Sequence, residues 1–229
     1  MKTCAIMQPY IFPYIGYYQL VYAADCFIIY DDVTFIKQSY INRNKIRVNN
    51  QAARFSLPVI GASSNELIKN LCYAPADKLL KTIQQSYSKA PYYKDVIGFI
   101  TSVFKNENRN IAKVNELSIR GVFDYLNIKK EIIFSSELEY DRAAERAERL
   151  IILSKIHGCE HYINSPGGKM LYDKSVFSSK NIRLSFIETK ISQYNQSESE
   201  FIPCLSMIDI LMNCSKKEII EMLSNYELS

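Results

Sequence analysis

The sequence predicts an α/β fold: a doubly wound, mostly parallel sheet with an inserted β-hairpin and helical region. Two observations carry this. A short apolar run at 5–7 enters a bend holding Pro9 and Pro13, opens onto a helical pattern at 14–24, and reaches a second apolar run at 26–30 that ends in Asp31-Asp32. Further apolar runs near 131, 161 and 183 are separated from one another by helical sequence. Strands alternating with helices form parallel sheets, because a parallel pair needs a crossover connection. The first strand is expected at the centre. In such sheets ligands collect beyond the carboxyl ends of the strands, where the bend and the Asp pair both lie.

Each element has a local cause. Pro9, Pro13 and Gly16 fall within eight residues and fix much of the bend's backbone. Segments 44–48 and 53–59 flank Asn49-Asn50-Gln51, an antiparallel hairpin signal. Residues 77–88 set Leu79, Leu80, Ile83 and Tyr87 on one helical face; 92–104 and 111–125 are also amphipathic at helical spacing. Pro75 and Pro91 read as lying just inside helix starts. Residues 131–134 form a short strand, and 140–156 a charged-faced helix capped at His157-Gly158. Strands at 161–164 and 183–187 enclose a turn at 165–169 and a helix at 173–179. A polar loop, 193–200, precedes helices at 203–213 and 215–224. The chain is expected to be a single α/β domain, 1–229, with the insertion at about 44–126 and C-terminal helices within 203–224.

Composition narrows the classes. A chain of 229 residues with 48% hydrophobic content can bury a substantial core. A net charge of +4 admits an anionic ligand without pointing to nucleic acid. No apolar stretch is long enough to span a bilayer, so no membrane insertion is expected. The first apolar run is too short for a signal peptide. The six cysteines include no CxxC pair, which fits reduced thiols and a cytoplasmic location. A homo-oligomer stays open.

Several segments carry chemistry. Residues 37–47 hold four cations, Lys37, Arg43, Lys45 and Arg47. An arginine fork suits phosphate or carboxylate. Asn42, Arg43 and Asn44 precede the hairpin strand and read as ligand-binding. Lys45 and Arg47 alternate with Ile46 and Val48 and read as facing water. Asp31 and Asp32 suit a base, a Mg²⁺ ligand or a sugar-hydroxyl acceptor, or one of them caps a turn. No third ligand is tied to them by spacing, so no metal site is assigned. Ser165, Gly167, Gly168 and Lys169 follow a strand, where glycine N–H groups and a lysine can meet an anion; an ordinary turn is the alternative, and the spacing is not that of a P-loop. His157 and His161 have zinc-helix spacing, but Gly158 breaks the helix. No serine or cysteine nucleophile arrangement is found.

The segments Met7-Gln8-Pro9-Tyr10-Ile11-Phe12-Pro13-Tyr14-Ile15-Gly16-Tyr17, Ile29-Tyr30-Asp31-Asp32-Val33, Ile41-Asn42-Arg43-Asn44, Tyr162-Ile163-Asn164-Ser165-Pro166-Gly167-Gly168 and Phe201-Ile202-Pro203-Cys204-Leu205-Ser206-Met207-Ile208-Asp209 resemble the WbqC-like family, end to end. The resemblance implies a bacterial protein associated with O-antigen and other surface-polysaccharide gene clusters. Tyr40 stands where tryptophan is expected in many relatives. A fainter resemblance links Pro13-Tyr14-Ile15-Gly16-Tyr17 to the HxGH signature of nucleotidyltransferase-like, Rossmann-like enzymes, which implies phosphate contact at the first helix. Tyrosine can donate a hydrogen bond there but cannot carry the imidazolium charge, which weakens the case for adenylyl transfer.

These readings imply one cleft lined by Gln8, Tyr14, Tyr17, Asp32, Asn42, Arg43 and Lys169; Gly16, Lys37, Asn44, Ser165, Gly167 and Gly168 are further substrate-binding candidates, and Asp31 and Asp32 are the catalytic candidates. The partner would be a nucleotide-linked sugar. One function is amide formation on an amino sugar by an N-acyl or aminoacyl transferase or ligase; ATP or an acyl donor is then the co-substrate. The other is a non-catalytic sugar-nucleotide or assembly-partner binding protein.

Overall fold

A computed structural model of the chain describes residues 1–196 and 200–229, so part of the polar loop at 193–200 lies outside the described residues. In chain order, β1 (Thr3–Met7) leads through α1 (Ile15–Ala23) to β2 (Cys26–Ile29). A hairpin follows, β3 (Arg43–Val48) and β4 (Gln51–Ser56), then a small pair, β5 (Val59–Ile60) and β6 (Cys72–Tyr73). Helices α2 (Asp77–Tyr87), α3 (Tyr93–Phe104) and α4 (Ile111–Tyr125) complete the insertion. The chain continues through β7 (Glu131–Phe134), α5 (Arg146–Ile156), β8 (His161–Asn164), α6 (Lys174–Ser178) and β9 (Arg183–Thr189) to α7 (Met207–Asn213), α8 (Lys216–Ser224) and β10 (Tyr226–Leu228).

The main sheet has the order β10-β9-β8-β1-β2-β7. β1 is central and pairs parallel with both β2 and β8. β7 and β9 extend the parallel set outward. Only β10 is antiparallel, on the β9 edge. A three-residue strand at the chain end has too little pattern to be read from sequence; β9 supplies its partners.

Period-two alternation divides the core. Ala5, Phe27, Ile29, Ile163 and Ile187 join the cluster that includes α1, α4, α7 and α8. Their neighbours Cys4, Ile6, Cys26, Ile28, Tyr162 and Leu184 join Leu150, Ile151 and Leu153 of α5 and Phe177 of α6. Helices α1, α4, α7 and α8 cover one face and α5 and α6 cover the other, as in a doubly wound sheet.

Local differences from the sequence reading have identifiable causes. Residues 140–145 are not helical, because Tyr140 and Arg142 reach back to Asp32. Pro75 and Pro91 precede the N-cap residues Ala76 and Tyr92, so they stand ahead of their helices. Asn49 and Asn50, with φ of 49° and 63°, make the two-residue hairpin turn that positive φ at both positions permits. Arg47 does not face water. It is buried, and its backbone N–H donates to the Tyr87 hydroxyl at 2.9 Å.

Candidate functional site

The strand order reverses direction between β1 and β8, and a cleft of about 810 Å³ opens beyond their carboxyl ends. Gln8 follows β1, Asp32 follows β2, and Asn164, Ser165, Gly167 and Gly168 end or follow β8. Arg142, Arg146 and Arg149 complete the polar lining. Because α5 runs back against the parallel strands, its N-terminal turn lies at this edge and brings Arg146 and Arg149 with it. Its dipole adds positive potential there. Apolar Ile6, Leu150, Leu171, Tyr30 and Tyr172 fill the remaining wall.

The cations are not equivalent. Arg142 Nε lies 2.7 Å from Asp32 Oδ2, and its guanidinium stacks 4.6 Å from the Tyr140 ring. Arg149 sits 5.9 Å from the Tyr30 ring centroid, and its buried Nε has no hydrogen-bond partner. Among the described residues no ion pair joins Arg146 or Arg149 to a carboxylate. Two arginines therefore face the cleft without an internal counter-charge.

The acidic pair, the catalytic candidates of the sequence, lies in a network of hydroxyl and guanidinium donors. Asp31 accepts from Ser135 Oγ at 3.1 Å, Ser136 N–H at 3.0 Å and Ser136 Oγ at 2.7 Å, which fixes the turn after β7. The Asp32 side chain is fully buried and accepts from Ser135 Oγ, Tyr140 Oη at 2.8 Å and Arg142. Burial and the Asp32 carboxylate both push the Tyr140 phenol above its ordinary pKa. These partners hold both carboxylates in place, with the one Ser135 hydroxyl proton shared between them. Both position other groups.

The structure distributes the remaining predicted residues rather than gathering them in one cleft. Tyr17 is buried; its hydroxyl donates to the Gln8 carbonyl at 2.8 Å, and its ring packs on Tyr10 at 5.5 Å and Phe27 at 5.6 Å. Tyr14 folds over Gly16, where an added Cβ would lie 2.6 Å from its ring; the glycine permits that approach. Asn44 donates to the carbonyls of Ile11 at 3.1 Å and Phe12 at 2.6 Å, and holds the bend in which Phe12 takes φ 39°. Asn42 donates to the Leu57 carbonyl at 2.8 Å and closes the hairpin base. Arg43 lines a separate small pocket. Lys37 is exposed and lines neither cavity. Lys169 is turned away to Glu188 at 2.8 Å. The Gly168 N–H donates to the Ser165 carbonyl at 3.0 Å, so it is committed to the turn.

For metal, Cys26, Glu131 and His157 have ligand atoms within 4.8 Å of one another at the opposite end of the sheet. Glu131 also pairs with Lys2 at 3.3 Å. His161 takes no part; it is buried in β8, and burial lowers its pKa. The three cleft arginines were missed because their spacing on a charged helix looks like a hydrated face. Only the sheet order shows that this face overhangs the strand ends.

The chain is 25% identical over 219 residues to the "Uncharacterized protein Rv1507c" of Mycobacterium tuberculosis (strain ATCC 25618 / H37Rv), covering 93% of this chain and 94% of the relative. No solved structure matches. A family profile described as "WbqC-like protein family" matches residues 8–221, and the chain belongs to that family.

Proposed function

We propose that the cleft binds a nucleotide-linked sugar in bacterial surface-polysaccharide assembly, within the cytoplasm, and that its diphosphate lies against Arg146 and Arg149. One observation carries the reading: two arginines without counter-charge overhang the carboxyl ends of β1 and β8 at the reversal of strand order. A volume of about 810 Å³ accommodates a ligand of that size. Asn164, Ser165 and Gln8 offer hydrogen bonds to sugar hydroxyls.

For the chemical step, the reading is acyl or aminoacyl transfer to an amino sugar, driven by positioning of the amine beside an activated acyl group. The engagement of Asp31 and Asp32 by neighbouring donors favours a second reading, in which the chain binds the sugar nucleotide without turning it over. A thermal-shift panel of UDP-, dTDP- and GDP-sugars tests the shared part. At 100 times its Kd, a bound ligand adds roughly 2.7 kcal/mol of stability. Arg149→Ala should weaken that binding roughly tenfold to hundredfold, the equivalent of one charge-assisted hydrogen bond. No stabilisation by any sugar nucleotide, or no effect of the substitution, overturns the reading. Mass spectrometry of the sugar nucleotide after incubation with a CoA thioester, or with ATP and a carboxylic acid, separates the transferase from the binder.

A further inference from the structure

Three of the cations on one face of the hairpin, Arg43, Lys45 and Arg54, line one pocket. Arg43 and Lys45 alternate along β3, and Lys45 stands directly opposite Arg54 on β4. Like charges directly opposed in an antiparallel pair destabilise it. Internal compensation is lacking. Among the described residues no ion pair joins Arg43, Lys45 or Arg54 to a carboxylate. The Arg43 Nε is buried with no hydrogen-bond partner. All three converge on a pocket of about 120 Å³ whose other lining residues are Gln38, Ser39, Tyr40 and Asn44, none of them acidic.

The wall of this pocket is aromatic. Tyr40 is 57% exposed, and its ring lies 6.1 Å from that of Tyr10. An exposed ring supported from beneath is a surface on which a planar group can stack. The pocket holds about four waters' worth of volume at roughly 30 Å³ each. It therefore suits one phosphate group, with the rest of the ligand outside it.

We propose that the hairpin face is a second binding site, distinct from the sheet-edge cleft, for the terminal phosphate of a nucleotide-type ligand whose ring stacks on Tyr40. Arg43 and Arg54 grip the phosphate oxygens, Lys45 adds charge, and the bound anion relieves the repulsion between Lys45 and Arg54. The segment at 33–40 links the two sites: Val33, Thr34 and Ile36 line the cleft, and Gln38, Ser39 and Tyr40 line the pocket. Assigning this ligand as the co-substrate of a transfer reaction rests on the sugar-nucleotide reading of the cleft; the anion site itself does not.

The test uses ATP and inorganic phosphate as probes, in calorimetric titration of the full chain with Arg54→Glu and Tyr40→Ala. Arg54→Glu places opposite charges across the hairpin. It should raise the melting temperature of the ligand-free protein by about 1–3 °C and weaken both probes at least roughly tenfold. Tyr40→Ala should weaken ATP and leave inorganic phosphate unchanged. Binding of the best sugar nucleotide at the cleft should survive Arg54→Glu. Failure of the wild-type chain to bind either probe at millimolar concentration overturns the proposal. Equal loss of sugar-nucleotide and ATP binding in Arg54→Glu also overturns it, since one ligand would then span both regions. Loss of sugar-nucleotide binding in Arg149→Ala with ATP binding intact supports two separate sites.

Discussion

At the sheet edge, the Asp32 carboxylate is buried among Ser135, Tyr140 and Arg142. On the hairpin, Lys45 and Arg54 face each other, and no carboxylate lines the pocket between them. Both regions are rich in arginine, yet they spend it differently. A cation with a built-in counter-charge has its side chain held in place, and most of its field is cancelled within the protein. A cation without one projects its field outward and gains most from a ligand that arrives charged. The cleft contains both kinds, since Arg142 is compensated while Arg146 and Arg149 are not. Among the described residues, the three hairpin cations at the pocket, Arg43, Lys45 and Arg54, are of the second kind.

The largest expected effect comes from removing the internal counter-charge. Asp32→Ala removes the acceptor of the half-buried Tyr140 hydroxyl, a loss of about 1–3 kcal/mol where the group is left unsatisfied, and leaves Ser135 with Asp31 as its remaining carboxylate acceptor. Arg142 is 42% exposed and reaches water, so it contributes little to the loss. Urea denaturation should show a fall of about 2–3 kcal/mol. A fall under about 1 kcal/mol would mean that Asp32 is not the anchor described. Asp32→Asn keeps the shape and releases part of the Arg142 charge. Sugar-nucleotide affinity should then hold or rise, whereas a base lost from the chemistry would leave affinity alone and abolish turnover.

A smaller effect separates two adjacent glycines at the cleft floor. A Cβ on Gly168 would lie 2.5 Å from Asn164 Nδ2 and 3.2 Å from the Phe186 ring, while Gly167 has open space. Gly168→Ala should cost about 1–3 kcal/mol by crowding and displace Asn164, which weakens sugar-nucleotide binding. Gly167→Ala should change stability by less than about 0.5 kcal/mol. Matching melting temperatures for the two variants would show that the Asn164 side chain is free to move.

The smallest is a pH effect remote from both regions. Burial, and secondarily Arg183, lowers the folded-state pKa of His161 below its ordinary 6.5. The unfolded chain then binds this proton more readily, so stability is full above about pH 6.5 and falls as pH drops toward the folded-state pKa. His161→Gln should flatten that part of the curve between the histidine and carboxylate ranges. An unchanged slope in chemical denaturation from pH 7 to 5 would assign it to other groups.

What is legible in the sequence and what is not divide along a physical line. The alternation Cys4-Ala5-Ile6 and Cys26-Phe27-Ile28-Ile29, the Asn49-Asn50 turn and the Gly158 cap are local patterns, readable because period and backbone preference act between near neighbours. The functional reading of Asn42, Asn44 and Tyr17 missed their structural work. Each binds a backbone carbonyl far along the chain or across the bend, and polar tips look alike whether they meet ligand or backbone. Arg47 was read as hydrated because it alternates with apolar residues, yet α2 brings Tyr87 over that face.

By itself the sequence determined the mostly parallel α/β class, the central first strand and the inserted hairpin. These follow from hydrophobic periodicity and turn chemistry, which are short-range. Only the tertiary structure decided which charges remain uncompensated. Whether Asp32 meets Arg142, 110 residues away, or Lys45 meets Arg54 across a turn depends on elements packing together. An electrostatic site is defined by distance in space, and the chain's order does not encode that distance locally.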